Sequence, residues 1–121
     1  MYTIKKEFHF SASHQLTGLP ENHPCSRVHG HNYVIIVCLE SRTLNKHGFV
    51  KDYRDLDNIK QFIDEQLDHR HLNDCFPHQP SAEKMAATLY HLFVDKYGLA
   101  GNLKSVSIKE TDKTIATYSP E

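Results

Sequence analysis

The side chains best suited to chemistry crowd into one stretch of the chain. His29-Gly30-His31 sets two imidazoles a single residue apart, and residues two apart on a strand project to the same face, so both can reach one cation. Gly30 between them permits an unusual turn or a close backbone approach. His14 ends an upstream run in which Tyr2, Ile4, Phe8, Phe10 and Ala12 share its face, so pairing of the two strands supplies a third ligand. Three histidines with an open fourth position describe a catalytic zinc site, not a closed structural one. A bare His-x-His also describes two loop histidines hydrogen-bonded at a strand edge. Cys25, four residues upstream of His29, together with His14 favours the metal.

Cys25 itself has three readings. It is a fourth ligand closing a structural site, an inert small hydrophobe, or a thiolate activated by a nearby cation and a histidine to move protons. Its position in a loop after Pro24 argues against the inert reading and leaves the other two open. Asp68-His69 fits a helix C-terminus where histidine meets the dipole. With His71, His69 also makes a second His-x-His pair, and spacing alone does not choose between the two as a base. Glu110 follows Val106 and Ile108 at period two, which points it to their apolar face, where an unpaired carboxylate is costly. The competing placement is an exposed strand end beside a turn.

These residues need strands to carry them. Residues 2–14 read as a strand with Lys6 the one exception on its apolar face, and Leu16 to Pro24 reads as a loop. A second strand covers about His31 to Glu40, with Tyr33 to Leu39 apolar on both faces, the pattern of burial on both sides of a sheet. After Gly48 comes a short extended piece, Phe49 to Tyr53. Helical periodicity begins near Asp55, with Leu56, Ile59, Phe62, Ile63 and Leu67 as one stripe. His71 to Pro80 is a break. A second helix starts at Ser81 as N-cap, buries Met85, Ala86, Leu89, Leu92, Phe93 and Tyr97, and stops at Gly98. Leu103 to Glu110 and Thr114 to Tyr118 are two further strands joined by Thr111-Asp112-Lys113. The order implies an α+β domain, two helices on one face of a four-stranded antiparallel sheet.

The bulk properties exclude several classes. The chain of 121 residues fits one domain, 1–121, with a formal net charge of -1. No basic run exceeds Lys5-Lys6, so nothing here grips a nucleic-acid backbone or an anionic membrane. Met1 to Phe10 alternates charged and apolar residues, unlike a signal peptide, and no segment approaches the roughly 18 apolar residues of a membrane span. Three cysteines, an odd count, fit reduced thiols in a cytoplasmic protein. Ten histidines are the outlying number, and they are what a metal site would use.

With Cys25-Ser-Arg-Val-His29-Gly-His31-Asn-Tyr33 in view, the chain closely resembles the 6-pyruvoyl-tetrahydropterin synthase / 6-carboxy-tetrahydropterin synthase family along its whole length. Phe10-Ser-Ala12-Ser-His14, Val50-Lys-Asp52-Tyr53, the Leu67 to Asn73 run, Pro80-Ser81-Ala82-Glu83 and Lys109-Glu110-Thr111 follow the family's order. The resemblance implies zinc on His14, His29 and His31, proton handling by Cys25, Asp68 and His69, and Glu110 as the anchor of a pterin ring. A carboxylate can accept a pterin's ring N–H and exocyclic amine together. It also implies the tunnelling fold, in which sheets from several subunits close into a β-barrel with active sites at subunit interfaces, commonly a hexamer built from two trimers.

The implied substrate is 7,8-dihydroneopterin triphosphate. The three-residue spacing between Cys25 and His29 resembles the branch that releases acetaldehyde and gives 6-carboxy-tetrahydropterin for queuosine or other deazapurines; biopterin-type enzymes, which give the 6-pyruvoyl product, generally carry a longer insert. Cys25 stands against a third branch that uses glutamate there. Two positions depart from the pattern: Ala82 where a hydroxyl residue is common, and Gln79 where asparagine is frequent. Arg27 is a candidate triphosphate contact, or a surface ion-pair partner. The competing class is a non-catalytic, zinc-stabilised domain with Cys25 as a structural ligand.

Overall fold

The computed structural model describes residues 1–121. Two long strands dominate it, β1 (Tyr2–His14) and β2 (His29–Ser41), antiparallel from Tyr2 opposite Ser41 to His14 opposite His29. That register puts the alternating apolar sets of both strands on one face. Phe8, Phe10, Ala12 and His14 of β1 are buried there with Tyr33, Ile35, Val37 and Leu39 of β2. β3 (Leu103–Thr111) adds Val106 and Ile108, and β4 (Thr114–Tyr118) completes a sheet of order β1-β2-β3-β4. β3 and β4 turn over Asp112-Lys113, with Thr111 opposite Thr114.

Two helices cover the apolar face. α1 (Asp57–Gln66) buries Ile59 and Ile63 and is followed by buried Leu67; it contacts β1. α2 (Ala82–Lys96) lies over β3 and β4 and buries Met85, Ala86, Leu89 and Phe93. Ser81 caps α2 by accepting from the Lys84 amide at 3.2 Å, and Gly98 ends it in the left-handed region at φ 77°. Together the sheet and helices enclose a core of 23 residues. The expected element order and the face carrying the helices are as the periodicity implied.

Four expectations need correction. Phe49 to Tyr53 is not extended: Asp52 accepts from the Arg54 amide at 2.9 Å and starts a 3₁₀ turn, Tyr53–Leu56, which leads into α1. β2 begins at His29, two residues before the expected start, because its pairing with β1 continues to His14. Its second face is only half covered within one chain, Val34 and Ile36 being intermediate in burial. Gly30 is an ordinary strand residue; a Cβ there would meet the Ala12 carbonyl oxygen at an unstrained 3.5 Å.

The edge of β1 is partly closed by the segment after α1. His69 donates its amide to Ser11 O at 2.6 Å, the Ser13 amide donates to Arg70 O at 3.1 Å, and Ser13 and His71 form a parallel bridge. Asn73 then pairs with Gln15 through both main-chain groups, its Oδ1 accepting and its Nδ2 donating.

Candidate metal centre and its surroundings

His14 and His29 face each other across the last pair of β1 and β2, and His31 lies one strand repeat away on the same face, opposite Ala12. Their ligand atoms all lie within 4.8 Å of one another. The ring centroids of the three are 4.6 to 5.0 Å apart, and the rings meet edge to face.

Hydrogen bonds to backbone fix two of the tautomers. His14 Nδ1 lies 2.9 Å from Pro80 O and His29 Nδ1 lies 2.7 Å from Arg27 O. A carbonyl oxygen only accepts, so each Nδ1 carries the proton and each Nε2 presents a lone pair. Those two Nε2 atoms are 3.0 Å apart. Two lone pairs so close repel unless a cation sits between them. Tetrahedral zinc with Zn–N bonds of about 2.0–2.1 Å holds its nitrogens about 3.3 Å apart, close to what this pair shows. The pattern of ring nitrogens tied to carbonyls is also how metal-bound histidines are oriented.

The third imidazole agrees. His31 Nε2 is buried with no hydrogen-bond partner. Burial lowers the His31 pKa, the Glu110 charge opposes that, and His14 and His29 lower it further. The neutral form that results is the one that ligates metal. His14, His29 and His31 therefore fit a divalent cation, and their donor set suits zinc. The three-histidine group does not include the Cys25 sulfur.

Cys25 sits on a short 3₁₀ turn, Pro24–Ser26, pinned to the end of β1: Leu16 donates to Cys25 O at 2.9 Å and Gln15 Nε2 to Ser26 O at 2.8 Å. The turn thus follows the strand that carries His14. Asp68 and His69 form a pair, Oδ2 to Nδ1 at 2.9 Å, and Asp68 Oδ1 accepts from the Ser11 amide at 2.9 Å. That amide first, and His69 second, hold the Asp68 pKa below the usual carboxylate value. His69 has φ 60°, in the left-handed region, and its side chain is 82% exposed. It opens onto a cleft of about 490 Å³ at the edge of β1 whose walls also include His31, Asn32 and His71. His71 is set apart from His69 by its own bond, Nδ1 to Ser13 Oγ at 2.9 Å.

Glu110 ends the apolar face of β3, where its Oε2 lies 3.7 Å from His31 Nε2. It lines a separate cavity of about 230 Å³ with Ala82, Ile108 and Ile115. One chain thus groups the three histidines with Glu110, pairs Asp68 with His69, and leaves His69 facing outward. Gln79 is engaged by Thr17, whose amide and hydroxyl both donate to Gln79 Oε1. Arg27 contributes its carbonyl to His29 and makes no ion pair.

Sequence reasoning missed the Pro80 and Arg27 carbonyls, and nothing in residue type marks them. It also missed Tyr33, whose ring centroid lies 5.3 Å from that of His31. Its place two residues after His31, on the same face, was available as a signal.

The family model for 6-pyruvoyl tetrahydropterin synthase matches residues 3–121. A 6-carboxy-5,6,7,8-tetrahydropterin synthase from Synechocystis is 34% identical, the alignment covering 98% of this chain and 93% of that protein. The crystal structure of an uncharacterised Wolinella succinogenes protein superposes with a TM-score of 0.86 at 27% identity, covering 99% of this chain and 98% of that one. A Caenorhabditis elegans 6-pyruvoyl tetrahydropterin synthase structure gives 0.82 at 26% identity, covering 99% and 96%.

Proposed function

From the premise that this chain belongs to the 6-pyruvoyl tetrahydropterin synthase family, we propose that it is a zinc-dependent 6-carboxy-5,6,7,8-tetrahydropterin synthase. Its substrate is 7,8-dihydroneopterin triphosphate, which takes up one solvent water as acetaldehyde and triphosphate leave. The observation that carries the proposal is the convergence of His14, His29 and His31 within 4.8 Å, with no cysteine among them. Such a set holds zinc and leaves a position for the substrate's side-chain hydroxyls.

When bound there, zinc supplies Lewis acidity that lowers the barrier to proton loss beside those hydroxyls. The remaining work belongs to side chains. Asp68 holds His69 Nδ1 at 2.9 Å, which leaves Nε2 free to take or return a proton. Cys25 is the second proton carrier, as thiolate. Glu110 accepts from the ring N–H and exocyclic amine of the pterin, in the cavity where Ala82 offers only backbone. A His69 that is 82% exposed in a single chain fits a site completed by a neighbouring copy. We therefore place the working enzyme as a homo-oligomer, a hexamer of two trimers, acting on a free pterin in the cytoplasm.

Product analysis tests the reading. Incubation with 7,8-dihydroneopterin triphosphate is expected to release acetaldehyde with the 6-carboxy product. The C. elegans likeness favours a second reading, elimination to the 6-pyruvoyl product; that product without acetaldehyde would sink the first.

A further inference from the structure

We infer that Tyr33 is a positioning residue for Glu110: its buried hydroxyl, unpartnered in the ligand-free chain, donates to the carboxylate as a pterin binds and orients both oxygens toward the ring N–H and exocyclic amine. The inference rests on the pterin reading above. The β2–β3 ladder ends with Ile35 opposite Ile108 and Val34 opposite Lys109; one step beyond it lie Tyr33 and Glu110, and Glu110 Oε2 lies 3.7 Å from Nε2 of His31, which shares the face of Tyr33. Phe10 completes this row from β1, its ring stacked on Tyr33 at 4.9 Å and 10°.

The oxygen of Tyr33 is what requires explanation. The residue is completely buried, and its hydroxyl and His31 Nε2 are the two buried side-chain polar atoms with no hydrogen-bond partner. A metal on the histidines accounts for the nitrogen. The stack on Phe10 accounts for the ring but not for the hydroxyl, since phenylalanine would fill the same space without a stranded polar group. A phenol donates and a carboxylate only accepts, so the acceptor one step beyond the ladder is Glu110. A charge-assisted bond from a rigid ring fixes one end of a flexible glutamate.

Tyr33→Phe in the metal-loaded protein tests this, with 7,8-dihydroneopterin as the probe. Metal content per chain and ligand-free melting temperature are expected to hold or, for the latter, rise. The dissociation constant is expected to increase about fivefold or more, with KM following it and kcat within about twofold. In a Glu110→Gln background the same substitution is expected to add less than about twofold, because a residue that acts through Glu110 has nothing left to position. An unchanged dissociation constant, or effects that multiply in the double variant, overturns the inference. Loss of metal or of ligand-free stability overturns it as well, by assigning the hydroxyl to the scaffold. A wild-type protein that fails to bind the probe sinks the pterin reading itself, visibly before any substitution is made.

Discussion

Cys25 decides what kind of site the histidines make. Its turn is anchored by the Leu16 amide and the Gln15 side chain, so it is held in place without help from a metal. Cys25→Ala is expected to keep about one zinc per chain and an unchanged unfolding midpoint while turnover falls at least about 100-fold, the usual worth of a general acid–base group. Elemental analysis beside steady-state kinetics checks it; loss of zinc and stability together would make the cysteine structural. Asp68 gives a pH prediction. Its pKa is depressed in the folded state, so the unfolded chain takes up the proton first as pH falls. Its stabilisation is present above about pH 3.9, the ordinary carboxylate value, and is lost as pH falls through the lower folded value. Asp68→Asn is expected to flatten that acid limb of the stability curve in urea titrations, and an unaltered limb would remove Asp68 from the account.

At the scale of elements, legibility followed periodicity. The period-two run ending at His14 and the stripe Leu56 to Leu67 were readable because each buries a single face against one partner. Ser81 was readable as a cap because its hydroxyl acts on an amide three residues on. What was not readable depends on distant chain or on local competition. Pro80 supplies its carbonyl to a histidine 66 residues away, a contact only the tertiary fold creates. Phe49 to Tyr53 looks like a strand by composition until Asp52 captures the Arg54 amide. The convergence of His14 on His29 was conditional on strand pairing, and the register that closes it rests on long apolar alternation, which a slip of one residue would expose. The cap carries a prediction. Ser81→Ala is expected to cost about 0.5–2 kcal/mol in chemical denaturation. Because the same residue follows Pro80, whose carbonyl orients His14, zinc affinity should also weaken. A stability loss with unchanged zinc affinity would mean that the cap and the carbonyl are uncoupled.

In the whole molecule the proposed metal ligands and the proposed proton carriers sit differently with respect to the chain. His14, His29 and His31 come from two paired strands of one copy, so the three-histidine group is complete within a monomer. His69 points outward from the edge of β1, held there by Asp68 and Ser11. The far face of the sheet leaves Val34 and Ile36 half-covered, and β4 ends the sheet with an unpaired edge. Such edges and faces are where copies of a chain join. If His69 serves the metal of a neighbouring copy, then Cys25→Ala and His69→Ala chains, each inactive alone, can rescue each other. Mixed in equal amounts and reassembled, random pairing makes about one site in four intact, carrying Cys25 from one copy and His69 from the next. Recovery toward a quarter of wild-type turnover, at unchanged zinc content, is the expected result. A site built wholly within one chain predicts no recovery at any mixing ratio, since every copy then lacks one of its two proton carriers.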